Sequence, residues 1–564
     1  MKKEILLFIG LFISVIAFSQ TKQLTMEDAV FGRWYNLKPE SLSGVEWRNN
    51  QNYTFIEKWS RIVQADAKTN EKDTLLKLED LNKVLVANSL PKMRYFGDYK
   101  WHNNDAISFY DKAYHVVYNI TRSKIEFYNT TDDRADNFRF CKENSSIAYT
   151  VDNNLYIADK SDAIYITKDT NKGIVNGNPY THRQEFGIDK GVFWSSKGNF
   201  MAFYRKDETM VADYPLVDVN TRIASLKNTK YPMAGETSEQ VTLGVYNVQE
   251  GETVFMKTKK DDHYLARISW DPSEKFVYIA ELNRGQNHMK LNKYDVNTGE
   301  FIQTLFEEKH PKYVEPEHDM IFLKTKPNQF LWFSERDGYN HLYLHDVSGK
   351  LIKQVTKGNW VVTEFLGFDE KEKNIFIAST KESPIERHIY KVNIKTGKML
   401  QLTKGKGTHS AKFNPSHTYF VDNFSSTTVP GEVNIIDANG KQISNIITSA
   451  NPLKDYKMGE MNIGTLKAAD GKTDLYYRMI KPVDFDPNKK YPVVVYVYGG
   501  PHSQLVSESW LGGTGYWQYY MAQKDYIMFT LDNQGTDYRG FEFENVIHRQ
   551  CGQNEMLDQM KGVE

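Results

Sequence analysis

Cysteine is almost missing from this chain: Cys141 and Cys551 are the only two in 564 residues. Neither a disulfide framework nor a cysteine-rich zinc site is therefore available. The two could pair with each other, but both are read as free, buried thiols, because they fall in what look like different domains. An excess of one charge is lacking too. Lys and Arg number 71 against 72 Asp and Glu, a formal charge of -1, which argues against a general nucleic-acid binder needing a net cationic face. Glycine (35) and proline (17) are present in ordinary amounts beside 40% hydrophobic and 25% charged residues, a composition that is globular, not fibrous or disordered. No Walker loop, His-Glu-x-x-His, Cys-x-x-Cys or EF-hand spacing occurs, so neither a cofactor nor a metal is implied.

Long apolar runs are missing as well, except for residues 5–18. Lys2 and Lys3 precede that run, and Ala17-Phe18-Ser19 follows with small residues. The pattern reads as a cleaved export signal over residues 1–19. A single membrane anchor is the rival reading, but the run falls short of the roughly 20 residues that a spanning helix needs. No cysteine follows it for lipid attachment. The expected location is periplasmic, cell-surface or secreted, with no stable membrane span.

What is present is a strand grammar. At about 150 residues per domain the length allows three or four domains, or two large ones, and 13% aromatic residues favour sheet. After a helix start in which Thr25 caps, Asp28 completes the box and Gly32 stops, residues 45–455 repeat one theme. FRFCKENSSIAYTVDNNLYIAD from Phe138, VFWSSKGNFMAFY from Val192, ISWDPSEKFVYIAELN from Ile268, FLGFDEKEKNIFIAST from Phe365 and AKFNPSHTYFVDNFSS from Ala411 lay over one another. Each is an aromatic-centred strand, a polar turn and a second apolar strand. HLYLHDVSGKLIKQVTKG from His341 and HIYKVNIKTGKMLQLTKG from His388 close with hairpins whose turns fall at 346–349 and 395–397. Such spacing is the signature of propeller blades, with a stacked β-sandwich array as the alternative.

Near residue 456 the pattern changes. The run VVVYVY at 493–498 reads as a strand buried on both faces, ended by Gly499-Gly500-Pro501. A helix at 516–523, a buried strand at 526–531 and an amphipathic helix at 541–560 follow, which implies a parallel sheet. About a hundred residues are too few for a doubly wound domain, so the chain is expected to be a C-terminally truncated piece. No Gly-x-Ser-x-Gly elbow occurs in it.

The order of export signal, long propeller and KKYPVVVYVYGGPHSQ resembles the dipeptidyl peptidase IV branch of the prolyl oligopeptidase family of serine exopeptidases. HRQEFGIDKGVFWSSKGNFMAFYRKDETMV, YPMAG, SERDGYNHLYL, ASTKESPIERH and YMAQKDY are similar to bacterial prolyl tripeptidyl peptidases and their dipeptidyl relatives. The resemblance implies a mainly β fold. A signal peptide (1–19) and a segment leading to the hydrolase domain (20–44) would precede an eight-bladed β-propeller (45–455), with an incomplete α/β-hydrolase domain (456–564) after it. It also implies peptide substrates with a free N-terminus and a penultimate or third-position Pro, no nucleic acid, and a homodimer joined through the hydrolase domain.

Two site features carry over. Gln184-Glu185 matches the pair of adjacent glutamates that holds the substrate's α-amino group, and a single carboxylate there fits the tripeptidyl branch. An ammonium in a partly desolvated cavity needs such a charge-assisted partner. Apart from the resemblance Glu185 reads as a solvated loop charge. Tyr498 matches the oxyanion-hole tyrosine, with Tyr496 expected on the same face; apart from the resemblance either is ordinary core. His182 and Arg183 read as loop packing, and His341, His502 and His548 as packing or surface. Asp532-Asn533-Gln534-Gly535 replaces the relatives' Asp-x-Arg-Gly, so a loop arginine is absent. The Ser, Asp and His of the triad are expected beyond residue 564, which would leave this chain inactive alone. The alternative function is a truncated, non-catalytic propeller binding peptides or glycans.

Overall fold

Short alternating runs closed by turn residues fold as antiparallel ladders. Ser146–Val151 pairs with Asn154–Asp159 across Asp152 and Asn153, both at positive φ, which is the two-residue turn whose twist matches that of the strands. The computed structural model describes residues 22–111, 114–159, 162–182 and 185–564; the export signal read at 1–19 lies outside them. Among the described residues eight antiparallel sheets follow one another, the first from Ser43–Trp47 to Lys72–Lys77 and the eighth from Thr408–Phe413 to Gln442–Thr448. The chain is mainly β.

Neighbouring sheets bury their facing side chains together. Ile62 and Leu81 meet Val116 and Tyr118 of the second sheet, and Leu243 and Val245 of the fourth meet Val277 and Ile279 of the fifth. Leu331 and Leu342 of the sixth meet Ile375 and Ile377 of the seventh. The first sheet also packs on the eighth: Trp47 and Tyr53 lie against Val421, Val433 and Ile435. The Trp47 indole N–H donates to the Lys412 carbonyl at 2.8 Å, and the Asn414 amide to the Asn50 carbonyl at 2.9 Å. One hairpin, Asp213–Asp218 with Ser225–Lys230, stands apart from this packing, with Leu216, Val217 and Leu226 exposed.

The C-terminal region is built on one sheet whose strands lie in the order Met461–Lys467, Asp474–Ile480, Ile527–Leu531, Val493–Val495. Only the last pair is parallel, so the sheet is mixed, contrary to the all-parallel expectation. The hairpin Met461–Lys467 with Asp474–Ile480 supplies the antiparallel part of the sheet. The strand expected at 493–498 spans only Val493–Val495 and lies at the edge of the sheet; it is not buried on both faces, and Val493 is 55% exposed. Apolar runs report buried strands only where a neighbour pairs and covers them. The long helix expected at 541–560 is broken into Phe541–Glu544, a 3-10 turn Asn545–Ile547 and Asn554–Val563, with Gly552 at φ +86° between the last two. The helix Tyr516–Ala522 forms where expected, and Thr25 and Asp28 make the capping box on Met26–Phe31. This first helix docks on the C-terminal region: Leu24 N–H donates to Gln523 at 2.9 Å, and the Tyr516 hydroxyl to the Leu37 carbonyl at 2.6 Å. Both cysteines are free, but Cys551 is exposed, not buried. Among the described residues no helix is long and apolar enough to cross a membrane.

Candidate functional site

The sheets and the C-terminal region meet along a seam held by backbone contacts. Phe541 N–H donates to the Gly338 carbonyl at 2.9 Å and Glu508 N–H to the Ile385 carbonyl at 2.8 Å. Gly540 makes the approach possible: its φ is +89°, and a Cβ there would lie 2.6 Å from the Tyr339 ring and 2.8 Å from the Gly338 carbonyl, tighter than any side chain tolerates. Arg387 lies over the Tyr538 ring at 3.9 Å and donates to Gln504 at 2.9 Å.

Between these contacts is a cavity of about 630 Å³ lined from both sides. Glu315 and Glu317 enter it from the loop after Phe301–Lys309, Glu335 from the turn after Gln329–Ser334, Asp537 from the loop after Ile527–Leu531, and Glu544 from Phe541–Glu544. His502 stands among them. Its Nε2 is 3.3 Å from Glu315, its Nδ1 is 3.5 Å from Glu544 and 3.9 Å from Glu317, and its backbone N–H donates to Glu544 at 2.8 Å. The ion pair with Glu315 is the largest influence on the imidazole and lifts its pKa to about 10. Burial comes first for the acids: it pushes Glu544 up to about 8, helped by Asp537, and raises Glu317, Asp537 and Glu335. Crowded carboxyls in a low-dielectric site hold protons or recruit a cation, because they cannot all ionise. His502, Asp537 and Glu544 place ligand atoms within 4.8 Å of one another.

Of the residues singled out in the sequence, Gln184 lies outside the described residues, and so do Arg183 and the side chains of His182 and Glu185. The backbone of Glu185 opens a 3-10 turn, Glu185–Gly187. The Phe186 and Gly187 carbonyls accept from the Arg267 guanidinium, whose Nε donates to the Pro316 carbonyl at 3.0 Å. One guanidinium thus ties the 185–187 turn to the loop carrying Glu315 and Glu317. Tyr498 lies beyond the edge strand, 67% exposed, and its hydroxyl has no partner among the described residues. Tyr496 packs instead on Trp517, ring centroids 5.4 Å apart. Asn533 donates to the Gly499 carbonyl at 2.9 Å, fixing the glycine turn after Tyr498. The described contacts do not join Tyr498 to the 185–187 turn.

His341 is a packing residue, buried and bonded to Thr356 and the Gly358 carbonyl, and His548 stacks edge-on with Tyr313. His502 is at the surface, its side chain 53% exposed, and it also stands among the acids of the chamber. The chamber was missed because its members are scattered from 315 to 544. The one local signal was the acid-rich stretch VEPEHD at 314–319.

Residues 81–431 match the family described as the dipeptidyl peptidase IV N-terminal region, and residues 514–564 match the prolyl oligopeptidase family. A solved structure of a putative dipeptidyl aminopeptidase IV from Bacteroides ovatus is 40% identical with a TM-score of 0.90, covering 96% of this chain and 79% of that one. Dipeptidyl peptidase 4 from Porphyromonas gingivalis is 25% identical with a TM-score of 0.82, covering 96% and 78%. Dipeptidyl peptidase 4 from Trichophyton rubrum is 28% identical over 440 residues, 74% of this chain and 56% of that protein. The chain thus spans little more than half the length of the curated relatives it matches.

Proposed function

The chain belongs to the dipeptidyl peptidase IV branch of the prolyl oligopeptidase family, and we propose that it supplies the propeller and opening peptidase region of an exported serine exopeptidase. That enzyme removes Xaa-Pro dipeptides or Xaa-Xaa-Pro tripeptides from peptide N-termini. The observation that carries the reading is the seam, where a carboxylate-lined chamber lies between the sheets and the α/β region and is tied through Arg267 to the turn bearing Glu185. The packing of the first sheet on the eighth supports a closed eight-bladed ring, so that peptides reach this seam only after entering the molecule.

In this reading the Glu185 carboxylate, beside Gln184, holds the substrate's α-ammonium and so sets the distance to the scissile bond. Acyl transfer runs through a serine of the parent protein. As its alkoxide attacks, charge gathers on the former carbonyl oxygen, and the Tyr498 hydroxyl donates to it, a contribution of about 3 kcal/mol for one preorganised donor. A hydroxyl with no partner among the described residues, next to a turn fixed by Asn533, suits that task.

The test is kinetic, on the full-length protein with chromogenic Xaa-Pro and Xaa-Xaa-Pro substrates. Glu185→Gln is expected to lower kcat/KM for free-amine substrates by roughly 10- to 100-fold, as loss of a charge-assisted contact does, while N-acetylated substrates are poor for both proteins. An unchanged kcat/KM in the variant would remove the amine anchor, and the ratio between the two substrate lengths assigns dipeptide or tripeptide release.

A further inference from the structure

The chamber holds more carboxyl groups than its own cations neutralise. His502 is shared among Glu315, Glu317 and Glu544. The other cations near it are committed elsewhere. Arg336 pairs with Glu308 at 2.6 Å, Lys309 with Glu307 at 3.0 Å and Lys312 with Glu542 at 3.5 Å, while Arg267 is spent on the carbonyls of Phe186, Gly187 and Pro316. Glu335 is left over. Its carboxyl is partly buried in the cavity wall, it has no hydrogen-bond partner among the described residues, and Glu315, Glu544, Asp537 and Glu317 all repel its charge. An unpaired carboxyl in that position is costly unless something cationic arrives from the cavity.

The shape of the chamber narrows what that is. At about 630 Å³ it is far larger than a dehydrated metal ion requires and takes a long side chain with some water. Its walls include Trp332, Phe333, Val361 and Phe541 beside the acids, which suits a methylene stem carrying a charged head. The α-ammonium is assigned to Glu185 in the reading above, one guanidinium away along Arg267, so a peptide anchored there passes the chamber with a neighbouring side chain.

We propose that the chamber binds a lysine or arginine side chain of the peptide substrate, with Glu335 and Glu317 as its carboxylate partners and Trp332 and Phe333 along its stem. The proposal rests on the exopeptidase reading for its peptide but not on catalysis, so binding tests it. The probe is a set of C-terminally fluorescent pentapeptides based on Ala-Pro-Ala-Ala-Ala, carrying lysine or its uncharged counterpart norleucine at each position in turn. Anisotropy is measured with this 564-residue chain. At one position lysine is expected to bind about ten-fold more tightly than norleucine at low salt, an advantage that shrinks as salt is raised. Glu335→Gln is expected to reduce that advantage to less than about two-fold, and Glu317→Gln to weaken it in part. Both are near-isosteric, and an unchanged unfolding temperature and circular dichroism spectrum certify the fold.

The absence of a lysine advantage at every position overturns the proposal, whether or not the peptides bind, and so does an advantage that survives in both variants. N-acetylated peptides separate the two readings: a lysine advantage that persists without sensitivity to acetylation sinks the amine anchor and keeps the chamber, and the reverse pattern sinks the chamber alone. If Mn²⁺ or Zn²⁺ raises the unfolding temperature of the wild type but not of Glu544→Gln, and lysine confers no advantage, the cluster is a metal site and the proposal fails.

Discussion

Two places in this molecule bury charge, and they do it in opposite ways. Arg478, on the central strand Asp474–Ile480, is 2% exposed. It donates to the Leu505 and Gly512 carbonyls at 2.6 Å each, to Gln518 at 3.3 Å and to Thr530 at 3.2 Å. Asp532 beside it accepts from the Leu505 and Val506 N–H groups at 2.9 Å. Burial still presses on both, lowering Arg478 to about 10 and raising Asp532 to about 6, yet the guanidinium finds acceptors for most of its donors. In the chamber at the seam, five carboxyls face one imidazole, and Glu335 has no hydrogen-bond partner among the described residues. A buried charge with its bonds made is architecture, because it pins loops that have no sheet of their own. One with its bonds unmade is a site waiting for a counter-charge.

The largest effect should come from breaking the satisfied charge. Arg478→Ala takes the guanidinium from the Leu505 and Gly512 carbonyls and the cation from beside Asp532, and should cost about 3–5 kcal/mol, read by denaturant unfolding of the C-terminal region. A loss below 1 kcal/mol would erase the contrast between the two places.

A medium effect should appear with pH. His502 and Glu544 have folded pKa values near 10 and 8, above their ordinary ones, and Asp537, Glu335 and Glu317 shift the same way. The folded chamber therefore holds more protons than the unfolded chain, and its contribution to stability is lost as pH rises through those values. Below pH 6.5 the buried imidazoles His115, His318 and His345, held near 4 by desolvation, act with the opposite sign. The clean window is thus pH 7 to 9, where the melting temperature should fall steadily, and Glu544→Gln should flatten the slope. A flat or rising profile in the wild type would mean that the carboxyls are separately solvated.

The smallest effect is the reverse of the first. Glu335→Gln removes a repelled carboxyl without emptying space, so it should raise the melting temperature by about 1–2 °C at pH 8 and by less at pH 5, because burial and the acidic neighbours shift that carboxyl's titration upward. Calorimetry at the two pH values separates these outcomes, and destabilisation at pH 8 would give Glu335 a structural partner after all.

Much of this fold could be read locally. The repeats from Phe138, Val192, Ile268, Phe365 and Ala411 each became paired strands, because alternation and turn chemistry act over a few residues. Thr25 and Asp28 capped their helix for the same reason. The run at 493–498 misled because its residues describe a surface that wants covering, and only the neighbouring strands decide whether it is covered. The helix at 541–560 misled because its apolar period continues through Gly552, where the backbone turns left-handed.

By itself the sequence determined the strand grammar, the family and the two positions to compare with its relatives, Glu185 and Tyr498, since each of these is written in contiguous residues. Only the tertiary structure decided that Glu315, Glu317, Glu335, His502, Asp537 and Glu544 share one chamber. They come from two regions of the chain, and the mutual repulsion that gives the group its character exists only once folding has moved them out of water and within reach of one another.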